Sequence, residues 1–194
     1  MKVDVPCPAC CSPGIEYTTT LLDVPYFKDV LSTLVFCEKC GFKHNDIFIT
    51  GENEPQRFEY DIGGPEDMCV RVIRSTSGTL EVPQLGIRVE PGGSSEAYVT
   101  NIEGIIQRME MALRTALNFT QDAGKKEKAL ALLSMAADIR AGKAKATLVL
   151  EDPMGNSAIV PPDELSDRMK KRPLTEEERK RLSTGIICIE PPEP

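Results

Sequence analysis

Residues 7–42 read CPACCSPGIEYTTTLLDVPYFKDVLSTLVFCEKCGF and contain two Cys-x-x-Cys pairs. The pairs are Cys7 with Cys10 and Cys37 with Cys40. Such spacing places two sulfurs on one side of a turn, and two turns together supply the four soft ligands of a tetrahedral zinc site. A redox dithiol or buried free thiols would each explain only one pair. The sequence therefore predicts one zinc ion, and the site is structural because four protein ligands leave no open coordination position.

Other cysteines and the single histidine are predicted not to bind the metal. Cys11 follows Cys10 directly and is expected to point out of the turn, because the spacing from Cys7 favours Cys10. His44 lies close enough to Cys40 to compete, but the two pairs already satisfy zinc, which leaves it a polar surface residue. Cys69 and Cys188 lie in apolar runs and are expected to be small core residues.

Cysteine usage also bears on the compartment. Seven cysteines are an odd number, and four of them form the two pairs, so metal binding in a reducing environment fits better than a disulfide framework. The N-terminus MKVDVPCPAC lacks the apolar stretch of a signal peptide, and no run of about 18 apolar residues suggests a membrane span. A cytoplasmic location without membrane insertion is expected.

Short strands are predicted in the first half of the chain. Period-two alternation leads into each cysteine pair and indicates a zinc ribbon. The strand candidates beyond the ribbon are bounded by turn signals at Thr50-Gly51, Gly63-Gly64-Pro65, Ser77-Gly78 and Pro91-Gly92-Gly93. These candidates are DIFIT (46–50), RFEYDI (57–62), CVRVIRS (69–75), GTLEVPQ (78–84) and LGIRVE (85–90). Their spacing predicts a β-sandwich or barrel.

A helical hairpin is predicted next. A period near 3.6 places Ile102, Ile105, Ile106, Met109, Ala112, Leu113, Ala116 and Leu117 on one face, after a capping box formed by Thr100 and Glu103. A second helix is predicted from about 125 to 141, with Gly142 as its C-cap. The strand candidates ATLVLED and SAIV then return the chain to the sheet. The pair of helices, at about 101–142, is therefore predicted to be an antiparallel insertion.

The predicted organisation is mainly β with α. It comprises a zinc ribbon over 1–45, a β domain over 46–165 and a C-terminal helix and tail over 166–194. Thr175 and Glu178 are expected to cap the last helix. The final residues, IEPPEP, are expected to fray.

Charge is distributed unevenly. Residues 1–100 contain 8 Lys and Arg against 15 Asp and Glu, whereas residues 101–194 contain 15 of each. The acidic half would repel a phosphate backbone. The acidic pair Glu151-Asp152 is interpreted first as part of a turn, with a partner contact as the alternative. The basic cluster Lys170-Lys171-Arg172, which is offset by three glutamates at 176–178, is interpreted as a solvated surface.

The motifs CPAC, DVPYFKDVLSTLVFCEKCGF, RVIRS, TLEVPQL, TNIEG and LEDPMGNSAI resemble, in that order, those of the ZPR-one zinc-finger family. The resemblance spans about 5–160 and is to a single-unit, archaeal-like member. It implies a zinc ribbon followed by a double-stranded β-helix domain with a helical hairpin. It also implies binding to translation elongation factor 1-alpha and assistance to the folding of that GTPase.

Two function hypotheses follow. The preferred one is a zinc-dependent protein-interaction module, a chaperone or partner of elongation factor 1-alpha. The alternative is a zinc-ribbon transcription or translation factor that contacts nucleic acid, although this ribbon lacks a basic face. Enzyme activity is not expected, because one histidine and the absence of nucleophile-elbow, P-loop and dinucleotide motifs leave little catalytic chemistry.

Overall fold

The computed structural model describes residues 2–3, 5–24, 27–49, 51, 53–92 and 95–182. The chain divides into two compact units, Met1–Glu52 and Asn53–Pro194. The boundaries expected after residues 45 and 165 stay predictions. Cys188 and the expected frayed tail lie outside the described residues.

The first unit is an antiparallel sheet whose strands lie side by side in chain order. Its strands are β1 (Lys2–Val3), β2 (Ile15–Val24), β3 (Phe27–Phe36) and β4 (Lys43–Ile49). Half of the residues of β2 are β-branched, and β3 combines valine and threonine with phenylalanine; such residues fit a pleated surface. The strand predicted at 46–50 begins earlier than expected, because β4 pairs with β3 from Lys43 onward. The predicted turn at Thr50-Gly51 includes a position outside the described residues.

The second unit contains two antiparallel sheets, as expected of a β-sandwich. Its strands are β5 (Gln56–Ile62), β6 (Arg71–Arg74), β7 (Thr79–Val82), β8 (Ile87–Val89), β9 (Tyr98–Asn101), β10 (Ala146–Asp152), β11 (Ala158–Val160) and β12 (Met169–Pro173). The larger sheet has the order β12-β5-β10-β7-β8 and the smaller one β11-β6-β9. The sequence did not predict β9 or β12, because β9 is short and β12 is mostly polar.

Three α-helices lie in the described part of the second unit. They are α1 (Ile102–Phe119), α2 (Ala123–Arg140) and α3 (Glu176–Arg181), and single turns of 3-10 helix occur at Pro65–Cys69, Pro83–Leu85 and Asp163–Arg168. The hairpin of α1 and α2 is confirmed as an insertion between β9 and β10. Among the described helices, none combines the length and the apolar character needed to cross a bilayer.

The helix ends follow capping rules, with one correction. Asn101, not Thr100, caps α1, since its side chain accepts a hydrogen bond from the amide of Gly104 at 2.9 Å. The predicted box of Thr175 and Glu178 is confirmed at α3. Gly142 follows α2 with a φ of +70°, a conformation that suits glycine. Its amide donates a hydrogen bond to the carbonyl oxygen of Ile139.

The hairpin buries only part of its apolar face. Ile102, Ile105, Ile106 and Met109 of α1 are buried in the core of the second unit. The second half of the predicted apolar face is less buried: Ala112 and Ala116 are exposed, and Leu113 and Leu117 are half-buried. The periodicity is helical throughout, but only the first half of α1 packs against the sheets.

A buried carboxylate joins separate elements of the second unit. Asp67 is 0% exposed and accepts hydrogen bonds from the Tyr60 hydroxyl (2.5 Å), the amides of Gly63 (2.7 Å) and Gly64 (2.9 Å), and the Arg168 guanidinium (2.6 Å). Burial alone would raise the pKa of Asp67, but these hydrogen bonds and the Arg168 charge hold it below its usual range. Asp67 thereby links β5 and its own 3-10 turn to the 3-10 turn that contains Arg168, 101 positions further along the chain.

The acidic pair at the end of β10 is also buried, and Asp152 opens the predicted turn, since the amide of Gly155 donates a hydrogen bond to its carbonyl oxygen at 3.2 Å. Glu151 is 1% exposed and forms ion pairs with Arg57, Arg88 and Arg181. Asp152 accepts hydrogen bonds from the hydroxyls of three serines and from the amide of Met154 at 2.9 Å. The serines are Ser75 (2.7 Å), Ser77 (2.6 Å) and Ser157 (2.5 Å). Both carboxylates therefore make buried contacts within the second unit.

Replacing Asp67 should test this linkage. We expect Asp67→Asn to lower the free energy of unfolding at pH 7 by about 2 to 3 kcal/mol, because charge-assisted hydrogen bonds to a buried group are lost. Since the folded pKa lies below the unfolded value of about 4, the contribution is full above pH 4 and disappears as the pH falls through the folded value. Urea unfolding of both proteins between pH 7 and pH 3 measures it.

Asp61→Asn is the matched control, since Asp61 is an exposed aspartate on the same strand, β5. It should change the free energy of unfolding by no more than about 0.5 kcal/mol. Equal losses in the two variants would contradict a special role for Asp67.

Candidate metal centre

The first cysteine pair forms a closed turn at the start of the ribbon. The amide of Cys11 donates a hydrogen bond to the carbonyl oxygen of Cys7 at 2.8 Å. The amide of Cys7 donates one to the carbonyl oxygen of Ser12, also at 2.8 Å. The amide of Ala9 approaches the Cys7 sulfur at 3.4 Å. Amide hydrogen bonds of this kind stabilise a thiolate, so the turn prepares the sulfur of Cys7 as a metal ligand.

The second pair repeats the same turn between β3 and β4. The amide of Gly41 donates to the carbonyl oxygen of Cys37 at 2.9 Å, and the amide of Cys37 donates to that of Phe42 at 2.9 Å. Gly41 has a φ of +74°, and Cys11, at the corresponding position of the first turn, has a φ of +56°. Each turn therefore needs a left-handed residue directly after its second cysteine.

The two turns bring four sulfur atoms together. The sulfurs of Cys7 and Cys40 are 3.7 Å apart, those of Cys10 and Cys37 are 3.8 Å apart, and all four lie within 4.8 Å of one another. A tetrahedron with Zn–S bonds of about 2.3 Å has sulfur–sulfur edges of about 3.8 Å. The four cysteines are therefore positioned to bind one zinc ion, as predicted.

The site has a buried and an exposed side. Cys7 and Cys37, the first residues of the two pairs, are buried beside Ile15, and Val35 and Phe42 pack against this small cluster. Cys10 and Cys40 are exposed. The first unit has few other buried apolar residues in the part that the structure describes, so cross-linking by a metal would supply much of its stability.

The thiols of Cys10 and Cys40 differ in pKa. Hydrogen bonds to the side chain and then the backbone of Ser12 lower the pKa of Cys10 to about 6. At Cys40 the backbone contact with Phe42 favours the thiolate, but contacts with Cys10 and burial raise the pKa to about 12. A divalent cation would stabilise all four thiolates at once and release the remaining protons.

The structure places the other candidate residues away from this cluster. Cys11 is exposed, and His44 lies exposed in β4, paired across the strands with Val35. The prediction that Cys69 is a core residue was wrong: its exposed thiol donates to the carbonyl oxygen of Glu66 at 3.1 Å. The preceding 3-10 turn rotates this cysteine out of the apolar run that suggested burial.

Sequence reasoning missed the polar groups that organise the second unit. Local pattern could not pair Asp67 with Arg168, which lies 101 positions away, or Glu151 with Arg57 and Arg88, which lie 94 and 63 positions away. The cluster Lys170-Lys171-Arg172 is confirmed as a solvated surface, although it lies on a strand, β12, where Arg172 pairs with Glu178 at 2.6 Å.

Exchanging the left-handed residues of the two turns should have opposite effects. We expect Cys11→Gly to keep one zinc per chain and to stabilise the ribbon by about 1 kcal/mol. A side chain in the left-handed conformation costs about 1 to 2 kcal/mol, and the greater conformational entropy of glycine in the unfolded chain offsets part of that gain. Gly41→Ala should destabilise by a similar amount without a steric clash, because a Cβ there meets nothing within 4 Å. Elemental analysis and the unfolding midpoint of zinc-loaded protein measure both. Loss of zinc from Cys11→Gly would show that Cys11 is a ligand.

Metal removal should affect the two units differently. The described core of the second unit includes none of the cysteines and draws on residues from Phe58 to Ile159. A zinc chelator should therefore expose the amides of 5–49 to fast exchange while those of the second-unit strands stay protected. Amide exchange with and without chelator measures this, and equal loss of protection in both units would contradict it.

Two domain families match the chain. The ZPR1 zinc-finger domain matches residues 1–55, and the ZPR1 jelly-roll domain matches residues 66–186. Jelly rolls are double-sheet antiparallel folds, in agreement with the two sheets of the second unit.

Curated relatives extend over both domains. A ZPR1-like protein of Pyrococcus horikoshii is 36% identical over 192 residues, which cover 96% of this chain and 84% of that protein. A ZPR1-like protein of Methanocaldococcus jannaschii is 35% identical over 185 residues, or 95% and 91% of the two chains. The zinc finger chaperone zpr1 of Schizosaccharomyces pombe is 28% identical over 159 residues, which cover 79% of this chain but 34% of that protein. From its zinc-finger and jelly-roll domains and from its archaeal relatives, the chain belongs to the ZPR1 family.

Proposed function

We propose that Cys7, Cys10, Cys37 and Cys40 hold one structural zinc and that the protein is a cytoplasmic protein-interaction module. The observation that carries the proposal is the convergence of four cysteine sulfurs, which fills a tetrahedral coordination sphere with protein ligands. A site of this kind stabilises a fold and leaves no position for a catalytic water. The zinc then acts by holding the surface of the ribbon in shape.

The charge of the ribbon supports a protein partner. Residues 1–52 carry 4 lysines and no arginine against 7 aspartates and glutamates. Four thiolates on one Zn²⁺ add two further negative charges. An acidic ribbon would repel a nucleic-acid backbone and attract a basic protein surface.

Acidic residues of the second unit contribute less to such a surface. Glu81 pairs with Arg88 at 2.7 Å, Glu59 pairs with Arg57 at 2.7 Å, and Asp67 is buried against Arg168. Each of these carboxylates has an arginine partner within the fold. In the ribbon the seven acidic residues exceed the four lysines by three charges, and zinc-bound thiolates would add two more.

The proposed partner is translation elongation factor 1-alpha, which this protein would bind and assist in folding. Two considerations support it: the resemblance of the ribbon motifs to a family with that activity, and the name of the Schizosaccharomyces pombe relative, a zinc finger chaperone. Both concern relatives, so the test must use this chain.

Binding and refolding assays with elongation factor 1-alpha from the same organism provide the test. We expect the zinc-loaded protein to bind the factor and to increase the yield of nucleotide-binding factor after dilution from denaturant. Cys37→Ser should abolish both effects together with zinc content. Association should slow as salt rises, because the Debye length shrinks from about 10 Å at 0.1 M to about 3 Å at 1 M.

A pair of charge reversals locates the contribution of the ribbon. Glu38→Lys, within the second cysteine turn, should reduce the association rate and leave zinc bound, whereas Glu127→Lys, an exposed change on α2, should not. Failure of the wild-type protein to bind the factor would reject this partner, and equal rates for both variants would reject the acidic ribbon as the steering surface.

A further inference from the structure

The outer edge of β2 is largely uncovered in the first unit. β1 pairs only with Ile15 and Glu16, while β2 pairs with β3 on its other side from Glu16 to Val24. Within the described residues, no strand lies along the outer edge from Thr18 to Leu22. In an antiparallel sheet every second residue of such a strand directs its N–H and C=O groups outward, so this edge offers unused backbone hydrogen bonds.

The side chains along this edge favour the addition of another strand. Thr18, Thr19 and Thr20 are exposed, and Leu21 and Leu22 are 66% and 36% exposed. The three threonines have high β-propensity, and the five residues include no proline and no charge. Proteins normally protect an edge with lysine, proline or a bulge. Here the acidic residues of β2, Glu16 and Asp23, lie on either side of the open segment, and the register irregularity falls after Leu22.

We propose that residues 18–22 form a docking site for an extended segment of a partner protein, which adds to the ribbon sheet as a further β-strand. This inference rests on the proposed function only in taking the protein to be an interaction module. Five residues span about 17 Å, enough for several backbone hydrogen bonds.

The side chains of the edge also define the segment that fits. Thr18, Thr20 and Leu22 face one side of the sheet, and Thr19 and Leu21 face the other. A complementary strand has β-branched residues opposite the threonines and apolar residues opposite the leucines. Because the ribbon is acidic, lysine or arginine at the ends of that strand would strengthen its association.

A second copy of this chain fits the edge poorly. Two copies would bring two acidic ribbons together, which repel each other. In a symmetric antiparallel register centred on Thr20, Val24 of the second copy would also reach the position opposite Glu16 that β1 already occupies. The occupant is therefore a segment of a different protein.

The direct test uses a synthetic peptide with three Val-Thr repeats between two lysines, N-methylated along one edge so that it cannot self-associate. At a peptide concentration about ten times its Kd, exchange of the outward-facing amides within 18–22 should slow about tenfold. The same peptide N-methylated on both edges is the control and should give no protection. Absence of protection with the first peptide, or protection confined to other residues, would overturn the proposal.

Variants of the edge connect it to the partner. Leu21→Lys places a charge on the edge, and His44→Lys makes the same change on β4, the opposite outer strand. Thr19→Pro and Thr20→Pro form a second pair. Only one of these adjacent residues directs its amide outward, and proline at that position removes no hydrogen bond between β2 and β3. The variant at that position should therefore keep zinc and its unfolding midpoint. Leu21→Lys and the zinc-retaining proline variant should weaken peptide binding at least tenfold, while His44→Lys should not.

The same variants with elongation factor 1-alpha separate the two proposals. Loss of factor binding in the edge variants alone supports both. Factor binding that is unchanged in every edge variant would reject the edge as its docking site and leave the proposed partner standing. Peptide docking at 18–22 with no factor binding by the wild-type protein would reject the partner and support the edge.

Discussion

Convergence of four sulfur atoms is the constraint on which the ribbon depends. Each cysteine pair is closed by two backbone hydrogen bonds, and each turn continues through a left-handed residue, Cys11 or Gly41. These local features aim the sulfurs inward, and the antiparallel pairing of β2 with β3 and of β3 with β4 brings the two turns to the same end of the sheet. The first unit has little apolar core among its described residues, so metal coordination takes the place that a hydrophobic core has in a larger domain.

The second unit is held by different interactions. An apolar core between two sheets is supplemented by three buried carboxylates, Asp67, Glu151 and Asp152, each with several hydrogen-bonding or ionic partners. Buried charges are tolerated only when they are paired, and removing one partner leaves an uncompensated charge in a poorly solvated place. These groups also position elements: Asp67 holds two 3-10 turns beside β5, and Glu151 holds α3 against the larger sheet through Arg181.

The two units also differ in the surfaces that they present. Several carboxylates of the second unit are paired with arginines, whereas the ribbon combines net acidity with an edge of β2, residues 18–22, along which no described strand lies. Charge acts over distance and directs association, while backbone pairing acts at contact and prolongs it. The proposed capture of an extended protein segment rests on these two features together.

The sequence alone determined the features that depend on local pattern. The spacing within CPAC and CEKC identified the four sulfurs, alternation located most strands, and helical periodicity located the hairpin. Local pattern misplaced the cap of α1 by one residue, because Thr100 and Asn101 are both good caps and only the path of β9 into the helix selects the second. Periodicity also showed which side of α1 is apolar, but not how far along that side the neighbouring sheets reach.

Only the tertiary structure decided the interactions between distant residues. Arg57 and Glu151 are 94 positions apart, and Asp67 and Arg168 are 101 apart, so no local pattern could pair them. The exposure of Cys69 and the open edge of β2 likewise depend on which elements lie alongside. The physical reason is that turns, caps and periodicity are set by backbone preferences within a few residues, whereas burial and the pairing of charges are set by the packing of the whole unit.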